Sequence, residues 1–171
     1  DIGCGWGSFM GYAAEKHGVR CIGVTVSKEQ VAFAEERYAG LPLEFRLQDY
    51  RELSPDTLGG TVDRVVSIGM FEHVGRRNHR AFMRVVRRCL ADDGLALLHT
   101  IGKLRRKSTI DPWIDKYVFP NGDLPSIGQI GDALDGLLVA EDVHNFGADY
   151  DRTLMAWHAN FEAAWPRFAE S

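Results

Sequence analysis

Two hydrophobic periods alternate along this 171-residue chain, and that alternation constrains its fold more than any other feature. Segments of helical period are expected at 9–17, 27–38, 78–90 and from 153 onward. Short apolar runs typical of strands lie at 20–26, 43–49, 62–69, 95–101 and 137–144. Strands separated by helices form right-handed crossovers, so the alternation predicts an α/β fold whose mostly parallel sheet is covered by helices on both faces.

Composition narrows the class of protein. The length fits one domain, and 45% hydrophobic with 26% charged residues excludes disordered and collagen-like chains. No apolar run reaches the roughly 18 residues that a membrane-spanning helix needs, and no secretory signal pattern opens the sequence. Three scattered cysteines predict reduced thiols rather than disulfides or a zinc site, and hence a cytoplasmic protein without a bound metal.

A glycine-rich run precedes the first expected helix. It reads DIGCGWG over residues 1–7, and its small residues after the acid include Gly3, Cys4, Gly5 and Gly7. Glycines let a backbone approach a ligand closely and adopt positive φ. The spacing departs from the dinucleotide fingerprint at its third glycine, and the acidic Asp1 suits a ligand with a cationic amine. S-adenosylmethionine carries such an amine and is the predicted ligand, with a nicotinamide dinucleotide as the alternative.

Polar residues at the ends of the next two strands are candidates for the rest of this ligand. In dinucleotide-binding folds an acid at the end of the second strand binds the ribose. Here that position is neutral, and Thr25 and Gln30 are the candidates instead. Gln48 and Asp49 end the following strand and are candidates for the adenine amine. Helix capping by Gln30 with its neighbours and a plain chain turn at Asp49 are the alternative explanations.

A basic segment interrupts the otherwise acidic chain, whose formal net charge is −4. Residues 76–107 carry half of the 20 basic residues and a net charge of +8, against −12 for the rest. A solvated helix face with a solvated loop explains this charge, and a patch for anionic lipid explains it equally well. Nucleic acid is not expected as a partner, because no RNA- or DNA-binding pattern accompanies the charge. The basic residues are Arg76, Arg77, Arg80, Arg84, Arg87, Arg88, Lys103, Arg105, Arg106 and Lys107.

Several long motifs, in order over nearly the whole chain, resemble one family. They are similar to the cyclopropane-fatty-acyl-phospholipid synthases, whose relatives include the mycolic acid cyclopropane synthases and methyltransferases. The resemblance implies a class I S-adenosylmethionine-dependent methyltransferase fold, which is Rossmann-like. It also implies transfer of a methylene group to the cis double bond of an unsaturated acyl chain within a phospholipid, through a carbocation. The motifs are DIGCGWG, GVTVSKEQ, LQDY, DRVVSIGMFEHVG, LLHTIG, DPWIDKYVFPNGDLPS and NFGADYDRTLMAWHANFEAAWP.

The resemblance further implies a bound bicarbonate that acts as the base when the ring closes. It assigns the ligands of this anion to Glu72, His99, the backbone amide of Ile101 and Tyr150. From the residues alone, Glu72 fits an ordinary loop residue and His99 fits a core histidine. Tyr150 is open to a packing role or to stabilising a cation with its ring face. A metal site at Glu72 with its neighbouring histidines is not expected, because the spacing matches no known ligand pattern.

Segment 102–125 is predicted as a functional loop on the lipid side, because it is too long for a plain connection. Its Trp113, Tyr117 and Phe119 either line an acyl channel or form an aromatic cluster that pins the loop. The expected partner is an unsaturated phospholipid, with the protein bound peripherally at the inner face of the membrane. A homodimer is left open.

Other functions are compatible with the same residues. The nearest is a methyltransferase of this fold that makes a methyl-branched lipid or methylates a small amine, and another is a cofactor-binding module without catalysis. A glycine run of this kind needs a buried strand before it, yet the chain opens on Asp1 and Ile2. Residues 1–171 are therefore expected to form a methyltransferase domain fragment, truncated at both ends, with the cofactor loop at 1–7 intact.

Overall fold

The computed structural model describes residues 1–106, 111–118, 120 and 122–169. They form two compact units, of which the first spans Asp1–Val139 and the second begins at Ala140. The strands are β1 (Cys21–Thr25), β2 (Leu43–Leu47), β3 (Val62–Ile68) and β4 (Leu90–His99). The α-helices are α1 (Ser8–His17), α2 (Lys28–Arg37), α3 (Pro55–Leu58), α4 (His79–Cys89), α5 (Pro112–Tyr117), α6 (Ile127–Leu134) and α7 (Tyr150–Ala164).

The first unit has the predicted α/β architecture. Strands β1 and β2 form one parallel pair, and β3 and β4 form another. The start of the chain lies between the two pairs: the Ile2 amide donates to Val66 O at 2.8 Å, and the Val24 amide donates to Asp1 O at 3.0 Å. Residues 1–3 therefore hold the central strand position, and the sheet runs β2, β1, residues 1–3, β3, β4.

Capping residues fix where helices α2 and α6 begin. Ser27 caps α2, because its Oγ accepts the Gln30 amide at 3.2 Å. Ser126 and Gln129 form a reciprocal capping box at α6, with the Gln129 side chain accepting the Ser126 amide at 2.9 Å. The cap at Ser27 confirms the helix predicted over 27–38.

The expected strand at 137–144 is wrong. These residues form a turn followed by irregular chain. The amides of Leu137 and Leu138 donate to Leu134 O at 2.8 and 3.1 Å, so this backbone closes the end of α6 instead of joining the sheet. Both leucines are half-buried against the core, which explains their apolar character without a strand.

Two further boundaries differ from the sequence prediction. Segment 102–125 contains helix α5, whose start is capped by Asp111 and carries Pro112 in its first turn. Strand β4 starts at Leu90 rather than at Leu95, with a break in its register opposite the start of β3. Strand β4 ends at His99, two residues before the predicted end at 101, and the candidate site lies just beyond it.

Helix α4 supplies much of the core of the first unit. Its inner face buries Phe82, Met83, Val86 and Cys89, and Phe82 packs edge-on against Phe71 with ring centroids 5.2 Å apart. Its outer face carries arginines. Among the described residues, no helix is long and apolar enough to cross a membrane.

Candidate active site

The glycine run turns sharply from the central strand position into α1. Gly3, Gly5 and Gly7 have φ values of +84°, +55° and +81°, a region that strongly favours glycine. A Cβ on Gly3 would lie 2.6 Å from Met70, and one on Gly7 would lie 2.8 Å from Phe45. At Gly5 the same Cβ would meet nothing within 4 Å, so this part of the loop faces open space where a ligand can approach the backbone.

The predicted contact Cys4 points into the protein. Its side chain is buried in a small core cluster with Met10, Ala34 and Phe45. Burial raises the pKa of its thiol above the usual range, so the thiol stays protonated and is a poor nucleophile. If Cys4 contacts the cofactor, it therefore does so through its backbone.

Thr25 and Gln30 meet at the carboxyl end of β1. The buried Thr25 hydroxyl donates to Gln30 Oε1 at 2.6 Å, and the Gln48 amide donates to Thr25 O at 3.0 Å. Hydrogen bonds thus join the end of β1 to the end of β2 and to the start of α2, beside the glycine run. Three of the predicted cofactor residues lie together, although their contact with a cofactor stays a prediction.

Asp49 is held by its own neighbour. Its carboxylate accepts the Arg51 amide and guanidinium at 2.9 Å, which caps a short 3₁₀ helix at Tyr50–Glu52. Hydrogen bonding to Arg51 lowers the pKa of the Asp49 carboxyl. The turn explains this side chain fully, and a contact between Asp49 and adenine stays a prediction.

Glu72 lies at the centre of the candidate site. It belongs to a 3₁₀ helix, Phe71–His73, that follows β3, and only 7% of the residue is exposed. The Ile101 amide donates to Glu72 Oε1 at 2.7 Å, across 29 residues of sequence. Glu72 Oε2 is also buried and has no hydrogen-bond partner among the described residues. The structure thus brings two of the four predicted bicarbonate ligands together, but here the Ile101 amide bonds to Glu72 itself. Binding of bicarbonate by either residue stays a prediction.

His99 and Tyr150 have different surroundings. His99 is the last residue of β4, and its carbonyl accepts the Gly69 amide at 3.0 Å, so its backbone lies beside the segment that leads to Glu72. Tyr150 is the first residue of α7 in the second unit, where its ring packs edge-on against Trp157 with centroids 6.1 Å apart. Their roles as ligands of the anion stay predictions.

Two residues near Glu72 escaped the sequence analysis. Asp123, in segment 102–125, donates its backbone amide to Glu72 O at 2.8 Å. His79 is only 3% exposed and stacks on Phe71, the residue before Glu72, with ring centroids 4.3 Å apart. Nothing in the spacing of either residue signals these contacts, because both depend on how distant loops fold back.

Two of the three aromatic residues singled out in segment 102–125 contact each other. Trp113 and Tyr117 lie on α5 with ring centroids 5.8 Å apart, and both are largely exposed. The two rings thus contact each other without being buried. Phe119 lies outside the described residues. A role in lining an acyl channel stays a prediction.

Half of the ten basic residues of this segment are engaged in contacts within the protein. Arg88 donates to Leu53 O and Arg51 O, both at 2.6 Å, and Arg80 donates to Asp135 O at 2.8 Å. Lys103, Arg87 and Arg106 form ion pairs with aspartates. Within the described part of the chain, the side chains of Arg76, Arg77, Arg84 and Arg105 form no hydrogen bond or ion pair. Lys107 lies outside the described residues.

Comparisons with known proteins decide the family. The model of the family "Mycolic acid cyclopropane synthetase" matches residues 1–171. This chain belongs to that family. It is 51% identical to the cyclopropane-fatty-acyl-phospholipid synthase of Escherichia coli K12 over its whole length, which is 44% of that relative. It is 34% identical to a probable fatty acid methyltransferase of Pseudomonas putida, covering 95% of this chain and 43% of the relative.

Solved structures of family members confirm the fold. Mycolic acid cyclopropane synthase CmaA1, complexed with SAH and CTAB, superposes with a TM-score of 0.83 and 31% identity over 98% of this chain and 63% of its own. The cyclopropane synthase MmaA2 of Mycobacterium tuberculosis gives 0.82 and 28%, over 96% and 62%. The predicted α/β methyltransferase fold is therefore correct. The chain spans less than half of the curated relatives named above and under two thirds of these structures.

Proposed function

We propose that this chain carries the catalytic site of an S-adenosylmethionine-dependent enzyme that adds a methylene group to the cis double bond of an unsaturated acyl chain in a phospholipid. The observation that carries the proposal is the buried Glu72 carboxylate, with Oε1 bonded to the Ile101 amide and Oε2 without a described partner. The family membership and the names of the relatives support it.

The residues of the glycine run fit S-adenosylmethionine. Gly5 leaves open space beside the backbone, and Asp1 places a carboxylate near the run for the ammonium group of the ligand. Thr25 and Gln30 offer hydroxyl and amide groups for the ribose, and Gln48 lies next to them for the adenine. When bound, S-adenosylmethionine supplies an activated methyl group on a sulfonium. The protein's part is orientation, because an alkene is a poor nucleophile and reacts only when it is held in line with that methyl.

Ring closure needs a proton to leave the new methyl group, so the site must hold a base. The unpartnered Oε2 of Glu72 fits a ligand that donates one hydrogen bond, and the O–H of bicarbonate is such a donor. Bicarbonate, when bound, supplies the oxygen that takes the proton. Glu72 would then receive a proton at Oε2, while the Ile101 amide keeps Oε1 fixed and His99 orients the anion. A role of Tyr150 toward the anion rests on the family resemblance. The acyl chain gains one carbon and two hydrogens, and loses its double bond.

A methyl-branched lipid is the second candidate product. The relative in Pseudomonas putida is named a probable fatty acid methyltransferase, and it is 34% identical to this chain. The two outcomes part after methyl transfer: removal of a proton from the new methyl closes the ring, whereas a hydride shift along the chain followed by loss of a proton from a chain carbon leaves a methyl branch and a double bond. The product itself, rather than the presence of a base, therefore distinguishes the two.

The deciding experiment is product analysis by mass spectrometry. Labelled S-adenosylmethionine is incubated with vesicles of cis-unsaturated phospholipid, with fully saturated vesicles as the control. The chain is assayed alone and extended at both ends with the corresponding residues of the Escherichia coli relative. One added methylene with loss of the double bond, in either form of the protein, supports the proposal. An O-methyl, N-methyl or branched product, or no product from either form, overturns it.

The partner and location follow from the substrate. We propose that the protein works at the inner face of the membrane, held there by the basic residues whose side chains are not engaged within the protein. A phospholipid must move partly out of the bilayer to reach a buried carboxylate, and anionic headgroups attract each nearby cation by about 1 kcal/mol.

A further inference from the structure

We propose that Asp123 is a positioning residue that keeps the Glu72 carboxylate bonded to the Ile101 amide. Its contacts join three segments: the loop after β3, the loop after β4, and the chain before α6. The catalytic consequence rests on the function proposed above, whereas the structural consequence does not.

The backbone of Asp123 contacts the backbone of Glu72. Its amide donates to Glu72 O at 2.8 Å, so the chain around residue 123 runs directly beside the short helix that carries the carboxylate. This bond fixes the main chain of Glu72 without involving either side chain. It therefore survives any substitution at position 123 except proline.

The side chain of Asp123 contacts both loops that form the site. Its Oδ2 accepts the Arg76 amide at 3.0 Å, four residues after Glu72. Its Oδ1 lies 3.5 Å from Nζ of Lys103, two residues after Ile101. One carboxylate thus links the segment that supplies the acid to the segment that supplies the amide.

The ion pair between Asp123 and Lys103 is buried on the lysine side only. The Lys103 side chain is 14% exposed and that of Asp123 is 38% exposed. The Lys103 amide donates to Pro125 O at 2.9 Å, so the two chain segments run side by side. Water screens a partly buried pair less than an exposed one, and removing one partner of a buried pair is more costly than removing one at the surface. Removing the carboxylate should therefore loosen the loop at 101–103 against Glu72.

The fold supplies a matched control. Asp132, on α6, also forms an ion pair with an arginine of the basic segment, Arg106, at 2.5 Å. Its carboxylate is 61% exposed, and the hydrogen bonds of Asp132 do not reach Glu72 or Ile101. Replacing Asp132 removes the same charge from the same unit without touching the site.

Hydrogen exchange at the Ile101 amide tests the positioning directly. In Asp123→Ala, which loses both side-chain contacts, exchange at Ile101 should rise about tenfold, as expected when the support of a single bond is lost. In Asp123→Asn, which keeps an acceptor for the Arg76 amide, the rise should be smaller. Exchange in β1 should stay unchanged and reports global opening. Asp132→Asn should leave Ile101 unchanged.

Kinetics add the catalytic test. If the assay above detects turnover, Asp123→Ala should lower kcat while the KM for S-adenosylmethionine stays the same, because the cofactor residues are not among its contacts. Unchanged exchange at Ile101, or equal changes in Asp132→Asn, overturns the positioning role. Faster exchange at Ile101 in a protein that shows no lipid product supports the positioning role and overturns only the proposed function.

Discussion

At the scale of single residues, Glu72 shows how much one motif can predict. The family resemblance assigned Glu72 and the Ile101 amide to one anion site, and the structure places that amide 2.7 Å from Oε1 of Glu72 itself, a bond that the sequence did not predict. The strands that carry them end at the same edge of the sheet, which is a property of parallel topology. The contacts of Asp123 and His79 were unpredictable, because they join residues through loops whose path the sequence pattern does not determine.

The first prediction concerns the free oxygen of Glu72. Glu72→Gln keeps an acceptor for the Ile101 amide but replaces a basic oxygen with an amide group that cannot take a proton. We expect the free energy of unfolding to change little and kcat in the lipid assay to fall at least about 100-fold. Glu29→Gln, an exposed residue on α2, serves as the control. A Glu72→Gln protein that keeps a large part of its activity would contradict the proposed proton transfer.

The second prediction concerns the pH dependence of stability. Burial lowers the pKa of His79 below its usual value of about 6.5; nearby Asp123 opposes this shift, while Arg76 and Lys103 reinforce it. The folded protein thus favours the neutral ring. Between the ordinary pKa and the lowered folded pKa the unfolded chain binds more protons, so His79 makes the protein less stable as the pH falls through that interval.

His79→Phe tests this directly. Phenylalanine keeps the stacking on Phe71 but cannot bind a proton, so the loss of stability between pH 7 and pH 5.5 should become smaller in the variant. Urea unfolding at several pH values measures it. His17→Asn, at the exposed end of α1, should keep the pH dependence of the parent. An identical pH slope in parent and His79→Phe would show that His79 does not carry it.

At the scale of elements, helix α4 shows what charge patterning misses. The sequence explains the basic segment equally well as a solvated face or as a lipid patch. In the structure, however, several of its side chains donate hydrogen bonds to neighbouring elements. Arg88 holds the carbonyls of the 3₁₀ helix after β2, and Arg80 bonds a carbonyl at the end of α6. Such contacts depend on which carbonyls lie open at neighbouring helix ends, and a charge count does not reveal them.

The third prediction compares two arginines of this helix. Arg88→Gln removes two hydrogen bonds of 2.6 Å from a charged donor, so the free energy of unfolding should fall by about 2 kcal/mol. Arg84→Gln, on the same helix and exposed, removes the same charge and should change stability by no more than about 0.5 kcal/mol. Urea unfolding measures both. Equal effects of the two substitutions would show that helix charge, rather than the carbonyl contacts, sets stability.

Two segments show the limits of predicting secondary structure from hydrophobic periodicity alone. Residues 137–144 have the apolar character of a strand, but their first amides bond back to Leu134 and no strand forms. Helix α5 lay inside a predicted loop, although Asp111 followed by Pro112 is a recognisable helix start. An apolar run thus indicates that residues are buried, whereas a capping pattern indicates the backbone conformation. The capping pattern is therefore the better guide to the type of element.

At the scale of the whole molecule, the basic side chains of segment 76–107 fall into two groups: those that bond within the protein and those that do not. The segment at 76–107 carries +8, but within the described residues only Arg76, Arg77, Arg84 and Arg105 have side chains without a hydrogen bond or ion pair. These are the groups that can meet an anionic surface at no cost to the fold. The proposed association with lipid therefore depends on a few residues rather than on net charge.

The last prediction uses vesicle binding to test whether association with lipid depends on these few arginines or on net charge. Replacing Arg77, Arg84 and Arg105 with glutamine should weaken binding to anionic phospholipid vesicles by about tenfold or more and reduce its dependence on salt. Replacing the exposed residues Arg37, Arg152 and Arg167 changes the net charge equally and should leave binding nearly unchanged. Equal losses in both triple variants would mean that net charge alone drives association, and no loss in the first would exclude the basic segment as the lipid-binding surface.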